Sequence, residues 1–224
     1  MNRDINKIIL VSLNESFDST LYDELSSLIS SDKKAKLDSY ASLIDKKRVL
    51  YSDLLIRITI HQDLNIENCD ISFDTNIYGK PFLRNNLSVH FNVSHSQNMI
   101  AVAISNKPVG IDIEYTKNVN LEIARRFFNE SEIEYIKTSS QATNRRFIEI
   151  WTKKEAYLKY LGVGLNKSLK SFNVLDKEIS NHFYTITYGK YIITTYLSEL
   201  NLTPPVIVIP EIAIVELAKK LQDG

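Results

Sequence analysis

The chain has 224 residues, of which 44% are hydrophobic and 24% charged, and its 27 basic residues balance its 27 acidic ones. This composition predicts a globular protein of one large or two small domains, and the zero net charge gives no support to nucleic-acid binding. Cys69 is the only cysteine, which excludes an internal disulfide and a thiolate metal site. Without a signal-peptide pattern or an apolar run near the roughly 20 residues of a membrane helix, the sequence predicts a soluble cytoplasmic protein.

Strands and helices alternate along the first half of the chain. The predicted elements are a strand at residues 7–13, helical structure at 16–40, a helix at 42–60, a strand at 71–73, a turn at 78–81, and hairpin strands at 89–94 and 99–105. The helix at 42–60 has the clearest pattern, because its apolar residues recur at helical spacing: Leu43, Leu50, Leu54, Leu55 and Ile58.

The second half repeats this order loosely. The predicted elements are a strand at 110–115, helices at 121–128, 131–136 and 145–161, β-like segments at 172–174, 183–187, 191–197 and 206–209, and a closing strand or helix at 211–221. Gly162 and Gly164 end the longest helix. We therefore expect two α+β units of about a hundred residues each, covering 1–106 and 107–224.

The segment Gly110-Ile111-Asp112-Ile113-Glu114 places two carboxylates on one face of a strand, because alternate strand residues point to opposite sides. Carboxylates at this spacing repel each other unless a cation lies between them. Asp and Glu are also unfavourable in strands, which argues for a functional role. The alternative is a half-exposed strand whose polar face meets water.

The helix at 145–161 contributes a third carboxylate, Glu155, and a lysine one turn later, Lys159. An apolar stripe on this helix is expected to be core: Phe147, Ile150, Trp151, Leu158 and Leu161. Taken alone, Glu155 and Lys159 could form a surface pair worth about 0.2–0.5 kcal/mol. Together with Asp112 and Glu114, they indicate a hard metal ion held by oxygen ligands, with phosphate as its companion.

Several polar and basic side chains are suited to phosphate binding. In the string Phe91-Asn92-Val93-Ser94-His95-Ser96, the hydroxyl of Ser94 and the imidazole of His95 can donate to phosphate oxygens. A Ser/His hydrolase is the competing interpretation, and the lack of a Gly-x-Ser-x-Gly elbow argues against it. The basic candidates are Lys33, Lys36, Arg48 and Lys80. No glycine-rich phosphate loop is present, which argues against a nucleotide triphosphatase.

Taken in order, these motifs resemble the Sfp-type 4′-phosphopantetheinyl transferases. The similarity rests on four strings: Tyr78-Gly79-Lys80-Pro81, Phe91-Asn92-Val93-Ser94-His95-Ser96, Gly110-Ile111-Asp112-Ile113-Glu114, and Trp151-Thr152-Lys153-Lys154-Glu155 followed by Lys159. The last string matches every fixed position of the family pattern Trp-x-x-Lys-Glu-x-x-x-Lys. The resemblance spans roughly residues 30–175, and residues 121–128 resemble members that modify carrier domains of peptide synthetases. Val49 stands where some relatives carry a hydroxyl residue that touches coenzyme A, so the resemblance does not extend to that contact.

The resemblance implies two α+β halves related by a pseudo-two-fold axis, with the active site in the cleft between them. The implied reaction moves the 4′-phosphopantetheine arm of coenzyme A onto a serine of an apo carrier protein (a peptidyl, acyl or aryl carrier domain). It releases adenosine 3′,5′-bisphosphate and uses Mg²⁺, with Mn²⁺ as the alternative. We expect a cytoplasmic monomer that acts in nonribosomal peptide or antibiotic biosynthesis, with no nucleic-acid or membrane partner.

The resemblance also implies roles for individual residues. Asp112, Glu114 and Glu155 would hold the metal ion. Glu155 is the first choice of base, directly or through water, and Glu132 is the second. Lys159 would bind the pyrophosphate and stabilise or protonate the leaving phosphate. The residues expected to contact coenzyme A phosphates are Lys33, Lys36, Arg48, Lys80, Ser94 and His95, of which His95 is also grouped with the catalytic residues.

A docking surface for the carrier protein is expected around Leu121, Phe127 and Phe128, and the alternative is that the phenylalanines are core residues. Three other functions compete with the transferase. They are a non-catalytic module of the same fold that binds coenzyme A or a carrier protein, a different Mg²⁺-dependent phosphotransferase, and a structural protein whose acidic strand is merely solvated. The complete acidic set and Lys159 favour the transferase.

Overall fold

The structure is a computed structural model that describes residues 5–14, 18–84, 88–199 and 203–221. Its helices are α1 (Ser19–Ser26), α2 (Ser31–Asp38), α3 (Leu43–Leu64), α4 (Leu121–Phe127), α5 (Glu130–Lys137), α6 (Thr143–Leu161), α7 (Lys177–Ser180) and α8 (Glu211–Lys219). Its strands are β1 (Asn6–Ser12), β2 (Phe73–Thr75), β3 (Pro81–Leu83), β4 (His90–Ser96), β5 (Met99–Ser105), β6 (Val109–Tyr115), β7 (Phe183–Tyr188), β8 (Tyr191–Leu197) and β9 (Val206–Pro210). The predicted α+β class is confirmed.

The predicted hairpin forms one side of the first sheet, whose strand order is β4-β5-β1-β9. Strand β5 runs antiparallel to β4 on one side and to β1 on the other. Alternate residues of β5 face two different cores. Ile100, Val102 and Ile104 pack in the core that includes α3, whereas Ala101 and Ala103 pack against strands of the second half. All of β5 is therefore buried.

Helix α3 covers one face of the first sheet. The helix begins after Ser42, whose hydroxyl accepts a hydrogen bond from the Asp45 amide, and it ends at Asn65 in the left-handed conformation. The predicted stripe is buried from Leu50 to Ile58, which confirms it as core. Leu43 differs, with 47% of its surface exposed, because it is the first residue of the helix.

The second sheet has the order β6-β8-β7, and helix α6 lies across it. Gly110 marks the closest approach of α6 to β6. A Cβ atom at this position would overlap the Ala156 carbonyl oxygen and the Tyr160 amide nitrogen, so only glycine fits. The predicted apolar stripe of α6 is buried at Phe147, Ile150 and Leu158, half-buried at Trp151, and 37% exposed at Leu161 in the last turn.

Two predicted elements differ from the structure, and a third that the sequence left open is decided by it. The helical segment at 16–40 is two helices, because residues 27–30 separate α1 from α2; its predicted start lies outside the described residues. Residues 172–174 are not a strand, because the Val174 amide donates to the buried Glu132 carboxylate instead of to a neighbouring strand. The segment at 211–221, left open between strand and helix, is the helix α8.

The end of the described chain returns to the first sheet. Strand β9 pairs in parallel with β1, and α8 packs on α3. A buried ion pair of 2.6 Å between Lys47 and Glu211 fixes this contact. The division of the chain at residue 106 stays a prediction, with 206–221 now seen to pack with the first half. Across the described ranges, no helix is both long and apolar enough to cross a membrane.

Candidate active site

Strand β4 of the first sheet and strand β6 of the second lie side by side, and polar side chains of β4 join them. Asn92, Ser94 and Ser96 are alternate residues and therefore point to the same side. The Asn92 Oδ1 accepts a 2.8 Å hydrogen bond from the Ile111 amide, and the Ser96 Oγ accepts a 3.1 Å bond from the Tyr115 amide. Side chains thus replace backbone pairing where the two halves meet.

Each of the two carboxylates of β6 accepts a hydrogen bond from a serine hydroxyl of β4. The Ser94 Oγ donates to Asp112 Oδ1 over 2.8 Å, and the Ser96 Oγ donates to Glu114 Oε2 over 3.0 Å. Asp112 is 4% exposed and Glu114 is half-buried. The two carboxylates therefore share one face of the strand, as predicted, and that face meets the other half of the protein instead of open water.

Lys159 completes the link between the halves. Because α6 crosses β6 closely at Gly110, the lysine reaches Asp112 Oδ1 at 2.7 Å and Ser94 Oγ at 2.8 Å. Its ion pair is with Asp112, and no pair with Glu155 lies within 4 Å, so the simple surface bridge considered from the sequence is wrong. A cation from α6 therefore lies between groups of both halves.

Burial and neighbouring negative charge raise the pKa of two of these acidic groups, Glu114 and Glu155. Burial first and then the charge of Asp112 raise the pKa of Glu114. Burial, Asp112 and Glu114 raise the pKa of Glu155, against the opposing effect of Lys159. The second oxygen of Asp112, Oδ2, is buried and has no hydrogen-bond partner. One lysine therefore leaves this site with excess negative charge and an unsatisfied oxygen.

Within the described ranges, no three His, Cys, Asp or Glu side chains already stand together as a metal site. The donor set nevertheless fits a hard divalent cation, since the candidates offer only carboxylate oxygens and Asp112 Oδ2 is unpartnered. A cation there would oppose the two effects that raise the pKa of Glu114 and Glu155, which are burial first and then the charge of Asp112.

The ammonium of Lys80 has two backbone partners in the structure, and its expected role as a phosphate contact stays a prediction. Its ammonium donates to the backbone oxygens of Val109 at 3.2 Å and Tyr160 at 3.1 Å, and burial lowers its pKa to about 8. Asn76 holds the same turn, because its Oδ1 accepts from the Lys80 amide and its Nδ2 donates to the Gly162 oxygen. The ammonium of Lys80 therefore ties the β2–β3 turn to the second half.

The remaining basic candidates were also expected to bind phosphate, and two of them line cavities that include neither Glu155 nor Lys159. Lys33 and Lys36 line an open cavity of about 1260 Å³, and Lys33 and His95 also line a smaller one of about 250 Å³. Arg48 pairs with Asp45 at 2.7 Å and donates to the Gln97 oxygen. Burial and the positive charges of Arg48 and Lys159 lower the pKa of His95. Lys33, Lys36 and His95 therefore offer hydrogen-bond donors to an anion, in cavities that acidic residues also line.

A third pocket, of about 280 Å³, adjoins the acidic group. Glu155 and Lys159 lie in its wall with the Tyr78–Pro81 turn, Leu158 and Gly162. None of the cations Lys33, Lys36 and Arg48 lines it. The pocket lined by Glu155 and Lys159 is therefore distinct from the two cavities lined by Lys33.

Glu132 does not fit its expected role as the alternative base. Its side chain is fully buried, and its carboxylate accepts from the Asn129 and Val174 amides at 2.8 and 2.9 Å. The same carboxylate pairs at 2.9 Å with the fully buried Lys154, which also donates to two backbone oxygens, those of Leu169 and Phe172. Glu132 and Lys154 fix α5 and the loop at residues 169–174 to α6, away from solvent.

The expected docking residues divide into surface and core. Leu121 is 37% exposed and Ile123 beside it is 38% exposed, whereas Phe128 is fully buried between Phe147 and Trp151. Phe127 is half-buried against Trp151. The core alternative is therefore correct for Phe128, and Leu121 alone of the three is exposed.

Sequence reasoning missed three residues of the site. Asn92 and Ser96 join the strands, although both lie inside a string that was noted for Ser94 and His95. Gly110 sets the helix approach, although it was noted only as the start of the acidic strand. The available signal was the alternation of polar residues 92, 94 and 96 on one face of β4.

Two family descriptions match adjacent parts of the chain. "4'-phosphopantetheinyl transferase, N-terminal" matches residues 18–107, and "4'-phosphopantetheinyl transferase superfamily" matches residues 108–204. The 4'-phosphopantetheinyl transferase gsp of Aneurinibacillus migulanus is 39% identical, over 87% of this chain and 81% of that protein. The transferase Sfp of Bacillus subtilis is 38% identical over 66% of each chain, and psf-1 of Bacillus pumilus is 39% identical over 67% of this chain and 65% of its own length. The chain therefore belongs to the 4'-phosphopantetheinyl transferase superfamily, a family of enzymes, as the resemblance of its motifs predicted.

Proposed function

We propose that the protein transfers the 4′-phosphopantetheine arm of coenzyme A to a serine of an apo carrier protein and releases adenosine 3′,5′-bisphosphate. The observation that carries the proposal is the Asp112–Lys159–Ser94 contact, which gathers groups of β6, α6 and β4 at the junction of the two halves. A lysine held between a carboxylate and a hydroxyl suits a phosphate that must be bound next to acidic groups.

Coenzyme A carries a pyrophosphate and a separate 3′-phosphate on the same ribose, and the protein offers basic side chains at two places. The pyrophosphate contains the phosphorus under attack and belongs beside Lys159 and Glu155. The 3′-phosphate of the adenosine would bind in the cavities lined by Lys33, Lys36 and His95. The Ser94 hydroxyl and the Arg48 guanidinium would contact the phosphates as well, and their present partners are Asp112 and the Gln97 oxygen.

Asp112, Glu114 and Glu155 would hold Mg²⁺, or Mn²⁺, for which the unpartnered Asp112 Oδ2 is the first available ligand. When bound, the ion supplies charge neutralisation for the pyrophosphate and for the developing negative charge at phosphorus. Its attraction would also return the raised pKa of Glu114 and Glu155 towards their ordinary values.

Glu155 is the base in this proposal, directly or through water. The oxygen of the carrier serine forms a bond to the phosphorus of the phosphopantetheine as its proton passes to Glu155. The phosphorus–oxygen bond to adenosine 3′,5′-bisphosphate breaks, and the Lys159 ammonium stabilises the leaving phosphate. Glu155 and Lys159 lie in the wall of the same pocket, so the base and the group that stabilises the leaving phosphate would act on one bound substrate.

The carrier protein would dock next to Leu121, on the exposed face of α4. Arg125 and Arg126 on the same short helix are exposed and would attract an acidic carrier domain. Peptidyl, acyl and aryl carrier domains all present such a surface, and peptide-synthetase carriers in nonribosomal peptide or antibiotic biosynthesis are our first choice. A cytoplasmic monomer remains our expectation.

Intact-mass measurement of an apo peptidyl carrier domain, incubated with the protein, coenzyme A and Mg²⁺, tests the proposal. We expect the mass of one phosphopantetheine to be added, and a chelator to stop the addition until Mg²⁺ is restored. A protein that binds coenzyme A but modifies no peptidyl, acyl or aryl carrier would instead be the non-catalytic binding module.

A further inference from the structure

Asp53 and Arg57 form a buried ion pair beside Lys33, and none of the family motifs includes them. Arg57 lies one turn after Asp53 on α3, and its Nε donates to Asp53 Oδ1 over 2.5 Å. The two side chains are 2% and 4% exposed. The other oxygen of Asp53, Oδ2, lies 3.0 Å from the ammonium of Lys33, whose side chain is 36% exposed. One carboxylate therefore holds a buried guanidinium and a partly exposed ammonium.

The guanidinium of Arg57 is fixed on its other sides. Its Nη1 donates to Asn68 Oδ1 at 3.0 Å and to the Ile71 oxygen at 3.1 Å, and it lies over the ring of Phe73 at 5.0 Å. Asn68 is fixed in turn, because its Nδ2 donates to the Leu28 oxygen at 3.0 Å. Since Arg57 cannot move without breaking these contacts, the Asp53 carboxylate has a fixed position as well.

The three side chains Asp53, Arg57 and Lys33 keep a net positive charge that an anion can bind. Arg57 neutralises Asp53, so the three side chains together carry one positive charge, and only Lys33 brings that charge to the surface. Lys33 lies in the wall shared by the cavities of about 1260 and 250 Å³, the second of which also includes His95. A lysine on an exposed helix would otherwise sample many conformations, and each would cost free energy to fix upon binding.

We propose that Asp53 is a positioning residue, which holds the ammonium of Lys33 at the wall of the 3′-phosphate site before coenzyme A arrives. Arg57 supports Asp53 and prevents the carboxylate from cancelling the charge of Lys33. This inference rests on the proposed function, in which Lys33 contacts the 3′-phosphate. It adds a residue pair, with Arg57 in the wall of the larger cavity and Asp53 in the wall of the smaller one, that acts on substrate affinity through Lys33.

Calorimetric binding of coenzyme A and of 3′-dephospho-coenzyme A separates this role from a merely structural one. We expect Lys33→Met to weaken coenzyme A binding about ten-fold, as the loss of one charge-assisted hydrogen bond does, and Asp53→Asn to weaken it by roughly three- to ten-fold. In the double variant, Asp53→Asn should add nothing to the effect of Lys33→Met. Binding of 3′-dephospho-coenzyme A should stay within about two-fold for all variants, since it lacks the phosphate that Lys33 contacts. Lys34→Met is the matched control, because Lys34 lies on the same helix but lines neither cavity.

The results separate the inference from the proposed function. If Lys33→Met leaves coenzyme A binding unchanged, or the wild type does not bind coenzyme A, the proposed phosphate contact is wrong and the inference falls with it. If Lys33→Met weakens binding but Asp53→Asn leaves it unchanged, tightens it, or weakens the Lys33→Met variant further, only the positioning role is overturned. If Asp53→Asn does not fold because Arg57 loses its counter-ion, Asp53→Glu keeps the charge, displaces Lys33 and gives the same comparison.

Discussion

The substitution Gly110→Ala tests how closely helix and strand must approach for the site to form. The added methyl carbon would overlap two backbone atoms of α6 and lie 2.9 Å from the Tyr160 Cα, where carbon atoms normally stay about 3.5–4.0 Å apart. No rotamer change can relieve a clash with backbone, so α6 must retreat from β6 by roughly 1 Å. Overpacking of this kind costs about 1–3 kcal/mol or more.

The same retreat separates the catalytic groups. Lys159 lies within the turn of α6 that the methyl group would displace. Its ammonium is 2.7 Å from a carboxylate oxygen of Asp112, two residues after Gly110. A displacement of about 1 Å in a catalytic arrangement can lower turnover about 100-fold. We therefore expect Gly110→Ala to lose about 1–3 kcal/mol or more of unfolding free energy, by the overpacking estimate, and about two orders of magnitude in kcat.

Urea unfolding and the carrier-modification rate measure the two effects. Gly189→Ala is the matched control: a Cβ there meets nothing within 4 Å, and its left-handed backbone costs only about 1 kcal/mol. If Gly110→Ala is as stable and as active as Gly189→Ala, the close approach of α6 to β6 is not what assembles the site, and the argument is refuted.

Three further predictions concern residues whose roles the structure reassigns. Glu132→Gln should lower the free energy of unfolding by about 3–5 kcal/mol, because Lys154 loses its buried counter-ion, while kcat per folded molecule is unchanged; a large fall in kcat would restore Glu132 as a base. Leu121→Ala should raise KM for the carrier protein without loss of stability, whereas Phe128→Ala should cost about 3–5 kcal/mol in urea unfolding, and equal effects on KM would contradict the division into surface and core. Lys80 has a folded pKa of about 8 against an ordinary value of 10.5, so the unfolded chain binds more protons between these two pH values. The free energy of unfolding of the wild type, relative to that of Lys80→Met, should therefore rise as pH increases from about 8 to about 10.5. A difference that does not change with pH would show that Lys80 is not buried.

The sequence predicted the parts of the fold that local patterns determine. The helix at 42–60, the hairpin and the acidic strand were found because spacing alone fixes which face is apolar. The break between α1 and α2 and the non-strand conformation at 172–174 depend on contacts with Ser30 and Glu132, which periodicity does not reveal. The return of β9 to pair with β1 joins residues about two hundred positions apart, beyond the reach of any local signal.

The site was predicted as a set of residues and not as a set of contacts. Asp112, Ser94 and Lys159 were named from three separate motifs, and the structure brings them together. Glu132 and Lys80 were named by the same reasoning, yet buried partners occupy their charged groups. Charge and motif position indicate that a residue matters, but only its surroundings separate a substrate contact from an internal tie.

The central claim is that the two halves meet to form a transferase, and the direct test is to quantify both products of one reaction. Purified protein, coenzyme A, Mg²⁺ and an apo peptidyl carrier domain should yield modified carrier and adenosine 3′,5′-bisphosphate in equal amounts, and Asp112→Asn should abolish both while remaining folded. Release of adenosine 3′,5′-bisphosphate without modified carrier would indicate hydrolysis, and failure to form either product with a carrier that known transferases modify would contradict the account.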